Sequence, residues 1–355
     1  MTYVAFQAEA SDLLSIGRLW SENLSDLNIA RATGQRLHWM YKDPRAGGVR
    51  TWVVRKSETG EVVGCATVCP RLLHAEGRDV RAGILSDFAI ARAHRAAGPA
   101  IALQRKILTD TVGLGFDLLY GFPNHGAAPI LHRIGYSKVG VISRWVRPLR
   151  TEARLLRYLH PILAKGISMA ADGALALNDA RLGVAFGGGL REESLLRADE
   201  RFDDLWERGK AGKPATCARS SAYLNWRYAD FTTANYQLFC LVDPARNALR
   251  GYVVWSAHRD AAHVADLFWD RTPRALEALL VRFCRRMRSQ GLATVHLVCL
   301  ADDHLGAILR RLLFFTGATK ERAVVAHAGP RPPEHLRPLL RESRKWLLFD
   351  GDLDL

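Results

Sequence analysis

Apolar residues along this chain fall into two alternating periods. Short runs crowded with β-branched and aromatic residues occur at 51–55, 85–90 and 117–122, and again at 236–242 and 264–269. Each has the length and composition of a strand. Between them, apolar positions three, four and seven apart mark helices, as with Ala100, Leu103, Ile107 and Leu114. Asn124 precedes a second helical stretch to Ile134 and stands where a capping residue would. Strand meanders followed by strand–helix–strand–helix–strand predict helices on both faces of a mixed sheet.

The pattern repeats within the chain. Leu37-His38-Trp39-Met40-Tyr41-Lys42-Asp43 recurs as Leu224-Asn225-Trp226-Arg227-Tyr228-Ala229-Asp230. Gly64 and Gly251 each lie 25 residues beyond their tryptophan, entering a second strand. A strand carrying one acid follows in both copies, at Asp87 and Asp266, and an arginine lies eight residues on, Arg95 and Arg274. Several matches in one order predict two diverged copies of one fold. The reading is α+β: two tandem domains, residues 1–148 and 191–355, joined by a helical connector over 149–190. In that connector Leu155, Leu156, Leu159, Ile162 and Leu163 lie among Arg154, Arg157 and Lys165. It reads as a bridge packed on a domain in preference to a helix lying on a membrane.

Composition narrows the function. Apolar residues make up 48% and charged residues 24%, which suits two globular cores. No uninterrupted apolar span reaches the roughly 18–20 residues a membrane crossing needs, and no signal-like leader is evident. Six scattered cysteines without a CxxC pair read as reduced core residues, so the expected compartment is the cytoplasm. The net charge of +14 would attract phosphate-bearing partners. It is spread along the chain with no recognition motif, so nucleic acid is not the expected partner. Twelve histidines form no ligand-like spacing, and no metal is expected.

The chemistry is expected at Ile90-Ala91-Arg92-Ala93-His94-Arg95-Ala96-Ala97-Gly98-Pro99-Ala100, which follows a strand and opens a helix. Small residues there let backbone N–H groups gather at a positive helix terminus, as a pyrophosphate requires. This stretch resembles the pyrophosphate loop of the GNAT superfamily of N-acetyltransferases. Arg95, Gly98 and Ala100 stand at that pattern's key positions, with Ile90 at its hydrophobic one. The Asn124 to Gly135-Tyr136 segment resembles the family's later part.

The resemblance implies a parallel strand pair splayed around acetyl-CoA or another acyl-CoA. Phe88, Ala89 and Ile90 would pair with the pantetheine, and Arg95, Ala96, Ala97, Gly98, Ala100 and Asn124 would line the cofactor site. Asp87 would be base or amine anchor, and Trp39 and Tyr41 would wall the acceptor. The family's tyrosine acid is replaced by Leu131, which leaves Tyr136 or water as the source of a proton. In the second copy Glu277 stands where the glycine should be, and a carboxylate there would repel phosphate. The expected activity is direct transfer of an acyl group from CoA to a primary amine of a small molecule or peptide. The alternatives are a non-catalytic acyl-CoA binder or scaffold, and an enzyme taking longer chains from an acyl carrier protein.

Overall fold

The structure is a computed structural model; it describes residues 2–23, 39, 48–95, 97–156, 158–186, 188–230, 235–300, 302–317 and 322–353. The first half opens with β1 (Tyr3–Gln7) and helix α1 (Leu13–Asn23), whose Ile16, Leu19 and Trp20 form one buried stripe. An antiparallel meander follows: β2 (Arg50–Lys56), β3 (Val62–Ala75) and β4 (Arg78–Ile90). Helix α2 (Ala97–Gly113) carries the chain back so that β5 (Leu118–Gly121) runs parallel to β4. Parallel neighbours need such a crossover. Helix α3 (Ala128–Arg133) leads to β6 (Ser137–Pro148).

Helix α4 (Pro161–Phe186) bridges to the second half. There β7 (Arg191–Leu195), α5 (Glu200–Lys210) and the two-residue β8 (Thr216–Cys217) precede a second meander. Its strands are β9 (Gln237–Asp243), β10 (Ala248–His258) and β11 (Ala261–Trp269). Helix α6 (Ala275–Ser289) then crosses to β12 (Thr294–Leu300), parallel to β11. Helix α7 (Asp303–Arg311) and the strands β13 (Phe315–Thr316), β14 (Arg322–His327) and β15 (Leu348–Phe349) complete the chain.

All strands join one mixed sheet, with the main order β1-β2-β3-β4-β5-β14-β6-β12-β11-β10-β9-β7. The join is an exchange. The first part of β6 pairs with β14, from Ser137↔Ala326 to Ile142↔Arg322. Its second part pairs with β12, from Ser143↔Cys299 to Pro148↔Thr294. In return β14, from the far end of the sequence, fills the gap between β5 and β6. Side chains follow the same division: Val139 and Ile142 enter one core cluster, Trp145 and Leu149 another. Strands therefore cross the boundary between residues 1–148 and 191–355.

The repeated residues occupy matching positions. Gly64 pairs with Ile90, and a Cβ there would come within 3.0 Å of the Ala89 carbonyl oxygen. Gly251 pairs with Trp269, and its Cβ would lie 2.9 Å from the Phe268 oxygen. In both halves the backbones approach too closely for a side chain. The connector helix α4 packs on α6. Its buried Asp179 meets Arg147 of β6 and, at 2.9 Å, Arg288 of α6. Ile162, Met169, Leu177 and Val184 on α4 are exposed. No helix among the described residues is long and apolar enough to cross a membrane.

At the seam, three basic side chains meet: His263 of β11 and His296 of β12 lie abreast, and Arg144 of β6 reaches His296 from two residues along. Arg144 donates to His296 Nδ1 at 2.6 Å, so the ring's proton sits on Nε2, 3.1 Å from the Thr294 hydroxyl. The His263 ring stands edge-on to His296 at 4.7 Å. Burial, and then Arg144, push His296 down to about 4, and lower His263 as well. A histidine depressed in the folded state favours folding above its unfolded value near 6.5 and loses that contribution as pH falls toward 4. The melting midpoint should therefore fall between pH 6.5 and 4. His296→Gln should flatten that part of the curve. Parallel curves for parent and variant would remove the seam as the cause.

Candidate active site

The site begins where two parallel strands part. β4 and β5 pair from Ala82↔Leu118 to Leu85↔Gly121 and no further. β4 continues to Ile90, whereas β5 gives way to Phe122-Pro123, and proline has no N–H to offer a ladder. The β5-facing side of Phe88, Ala89 and Ile90 is thus left open by that strand. Their other side stays bound to β3 through Cys65↔Ala89 and Gly64↔Ile90.

Asp87 stands at the parting point with φ of 54°, a left-handed conformation that costs a residue with a Cβ. The β3–β4 register slips here: Thr67 faces Ser86 and Cys65 faces Ala89, so Asp87 and Phe88 together oppose Ala66. This is a β-bulge. Plain strand alternation would put Asp87 on one face with both Leu85 and Ala89, and the bulge breaks that alternation. Leu85 belongs to the apolar cluster beneath α2, and Ala89 to the cluster on the other face. The extra residue reverses the parity of the strand. Asp87 is 7% exposed, and its Oδ2 lies 3.4 Å from the Ser86 hydroxyl, which in turn meets the Cys69 thiol at 3.5 Å. Burial, reinforced by Asp87, raises the pKa of the Cys65 thiol.

Beyond Ile90 the chain makes a 3₁₀ turn at Arg92–His94 and enters α2. Ala96 lies outside the described residues. Arg95 is exposed, with Nη2 3.3 Å from Asn23 Oδ1. Gly98 is also exposed, and a Cβ there would make only an ordinary contact with Tyr3 at 3.7 Å. Packing does not demand that glycine. Pro99 is the third residue of α2, where its missing N–H breaks no helical bond. The first turn of α2 carries no acid. Together these features form a solvent-facing, positively polarised helix terminus next to the open strand edge.

Asn124 does not cap the helix directly. Its Oδ1 accepts from Gly126 N at 3.0 Å and Ala127 N at 2.9 Å, making a turn, and α3 starts only at Ala128 with a proline in its first turn. Tyr136 is not brought to the opening. It is 2% exposed, clustered with Leu103, Ile107 and Leu131 on the face opposite the Ser86–Cys69 row. Its hydroxyl has no hydrogen-bond partner among the described residues, and burial raises its pKa. Tyr41 lies outside the described residues. Trp39 is buried, stacked on Trp226 at 4.5 Å and 10°, and it donates to the Trp226 carbonyl at 2.9 Å. The repeated tryptophans thus pack on one another. Two groups beside them escaped the sequence reading, Arg71 on β3 and Tyr223. The signal was an arginine inside the apolar run Val68-Cys69-Pro70-Arg71-Leu72-Leu73.

Solved structures of other proteins share this fold. A GCN5-related N-acetyltransferase from Anabaena variabilis aligns over 92% of this chain and 72% of its own, at 14% identity and TM-score 0.66. A probable N-acyltransferase from Enterococcus faecalis covers 92% and 73%, at 11% identity and TM-score 0.65. The N-myristoyltransferase of Saccharomyces cerevisiae, solved with bound myristoyl-CoA, covers 93% and 84%, at 12% identity and TM-score 0.54. The fold is that of the GCN5-related N-acetyltransferases. No family model matches the sequence, and no curated protein matches it.

The second half of this acetyltransferase fold repeats the opening and then fills it. β11 and β12 pair only from Ala261↔Thr294 to Val264↔Leu297. Beyond that, β15 pairs with β12 at Cys299 and Leu300. Gly351 is wedged against Tyr228 and the Ala265 carbonyl, with no room for a Cβ. Asp266, the counterpart of Asp87, is held by Arg219 at 3.0 Å and by the Tyr252 hydroxyl at 3.1 Å. Glu277 does sit in the first turn of α6, but its carboxylate is paired with Arg311. A cavity of about 450 Å³ remains there, lined by Lys213, Trp269, Arg274, Glu277 and His304 among others. Among the described residues no group of three His, Cys, Asp or Glu side chains is placed to hold a metal.

The position of Tyr136 makes a prediction. Tyr136→Phe removes a buried hydroxyl with no partner, so the variant should melt no lower than the parent. It should also retain the parent's kcat in any amine acylation assay. A large loss of kcat with unchanged stability would restore Tyr136 to the chemistry.

Proposed function

We propose that the protein is an acyl-CoA-dependent N-acyltransferase, acting on a primary amine by direct transfer, with its working site in the first half. The observation that carries this reading is the open edge of β4 at the Asp87 bulge, adjoining the exposed amino terminus of α2. The pantetheine would add along Phe88–Ile90 as an extra strand, and the pyrophosphate would lie against Arg95 and the first N–H groups of α2. A backbone N–H of the open edge would polarise the thioester carbonyl. The amine nitrogen attacks that carbon, the C–N bond forms, and the C–S bond breaks. Asp87, directly or through water, takes the proton the nitrogen sheds. The thiolate, whose ordinary pKa is near 8.5, leaves without an obligatory acid and is protonated from solvent.

The chain is read as two copies of one acyltransferase fold that exchange strands, the second serving as support and as part of the acceptor wall. Its opening is occupied by β15 and Gly351, which favours one acyl-CoA per chain. Acetyl-CoA is the donor first considered. The myristoyl-CoA bound to the yeast neighbour supports testing longer acyl chains beside it. The six cysteines, all free and buried, accord with a reducing compartment such as the cytoplasm.

Two substitutions test this reading. Gly98→Glu puts a carboxylate at an exposed helix terminus with room for it, so the fold should survive and acyl-CoA binding should not. A ligand held only by the folded state stabilises it by about 2.7 kcal/mol at 100 times its dissociation constant. The parent should therefore show a clear rise in melting midpoint with acyl-CoA, and the variant none. An equal rise in both would put the cofactor elsewhere. Asp87→Asn keeps the shape of the side chain but removes the base. It should lower kcat by about 10²- to 10⁴-fold while acyl-CoA affinity is kept. Full kcat in this variant would leave Asp87 a purely structural role at the bulge.

A further inference from the structure

Hydrogen-bonding atoms buried without a partner are scarce in folded proteins, because each costs about 1–3 kcal/mol. Several of them gather around one arginine here. Arg71 is 6% exposed, and its Nη1 donates to its neighbour's carbonyl, Pro70 O, at 2.9 Å. Its Nε and Nη2 have no hydrogen-bond partner among the described residues. The Tyr223 hydroxyl and Trp226 Nε1 are likewise sealed from solvent and without a partner among them. The guanidinium carbon lies 5.7 Å from the centre of each of those two rings, and the rings are 5.8 Å apart.

The geometry of the vacant groups is selective. Nε–H and one N–H of Nη2 lie on the same edge of the planar guanidinium. That edge presents two parallel donors at the spacing of the two oxygens of a carboxylate. Arg71 keeps its charge under any ordinary condition, so these donors suit an anion. Among the described residues no acid is bonded to these donors. Asp352, which acts on the adjoining Tyr120 and Cys217, is bonded to Arg219 at 2.6 Å and to the Phe349 N–H at 2.9 Å. The flanking Tyr223 is only partly buried, so one member of the cluster reaches the surface.

Arg71 also lies on the same strand face as the Ser86 hydroxyl that meets Asp87. Alternation along β3 puts Thr67, Cys69 and Arg71 on one side. Thr67 faces Ser86, the neighbour of Asp87, and Arg71 faces Ala82. Four residues of strand, about 13 Å, separate the two positions. The arginine side chain spans part of that distance.

We infer that Arg71, with Tyr223 and Trp226, is the receptor for a carboxylate carried by the acceptor amine at the far end from its nitrogen. The acceptor is then an amino carboxylate, an ω-amino acid or a short peptide, in preference to a plain amine. This rests on the acyltransferase reading for the nitrogen end only, since the carboxylate end can be tested without turnover.

The binding arm uses linear ω-amino acids from glycine to 8-aminooctanoate, with alkylamines of matching length, and no acyl-CoA. The amino acids should raise the melting midpoint in a length-dependent way, and the alkylamines should not. Arg71→Lys keeps the charge but loses the paired donors, and Arg71→Met loses both. Each should weaken binding of the best amino acid by about 10- to 100-fold. A retained melting shift with acyl-CoA establishes that the variants fold. The turnover arm compares kcat/KM for the same pairs with acetyl-CoA, where the parent should favour the carboxylate partner and the Arg71 variants should lose that preference. Arg71-dependent binding without turnover would uphold the carboxylate receptor and defeat the acyltransferase reading. Turnover that ignores the carboxylate would do the reverse. Equal binding of amino acids and alkylamines, or binding untouched in Arg71→Met, would overturn the inference.

Discussion

The hydrogen bonding of β6 into both half-sheets is the constraint on which the rest of the molecule depends. A strand of twelve residues cannot be satisfied by one half alone: residues 137–142 need β14, and 143–148 need β12. Neither half can close without the other, because β14 comes from beyond α7 and is itself the neighbour of β5. Were β14 missing, β5 and β6 would both present unpaired edges over an apolar core. The position of β5 fixes the parting point from β4, so the open edge in the first half is held in place by a strand of the second. The second half thus holds the open edge in place through β14.

Two equal openings came to unequal ends through local chemistry. In the first half, Asp87 adopts a left-handed backbone at the slip in strand register, and its carboxylate meets the Ser86 hydroxyl. In the second, the matching Asp266 has no positive φ and is neutralised by Arg219. The terminal segment then seals the gap, with Gly351 chosen by a space that admits no side chain. Glu277, the feature most conspicuous in the sequence, is the weaker cause, since Arg311 offsets its charge. What closes the second opening is the chain's own backbone, and backbone is invisible to a motif.

Much of the architecture was legible because repetition preserves geometry. Gly64 and Gly251 were findable by spacing alone, and both meet a carbonyl oxygen within 3.0 Å. Trp39 and Trp226 were paired by pattern, although nothing in a linear pattern says that two copies of a residue will stack on each other. The exchange of β6 and β14 was not legible, since residues 322–327 carry an ordinary strand composition and pairing partners are not encoded by composition. Strand parity misled at Asp87 because alternation presumes an unbroken register. Tyr136 was placed near chemistry by its position after a glycine, and only packing could show that it turns into the α2 cluster.

Two buried arginines measure the difference between a finished site and an unfinished one. Arg219 is 1% exposed and surrounded by acceptors: Asp266, Asp352, the Thr216 hydroxyl and the Cys217 carbonyl. Those partners repay the cost of taking a guanidinium out of water, which runs to several kcal/mol. Arg71 is almost as deep, yet among the described residues its partners are one backbone carbonyl and two ring faces. Ring faces return only about 1–2 kcal/mol even when dry, and among the described residues the edge donors have no acceptor. A structural role would have been served equally by a leucine or methionine of similar volume, without that cost. The chain instead carries a fixed charge there, on the face of the Ser86 hydroxyl that meets Asp87 and a few residues along the same strands. A positive charge at one end and a carboxylate at the other describe the complement of a molecule with an amine and an acid of its own.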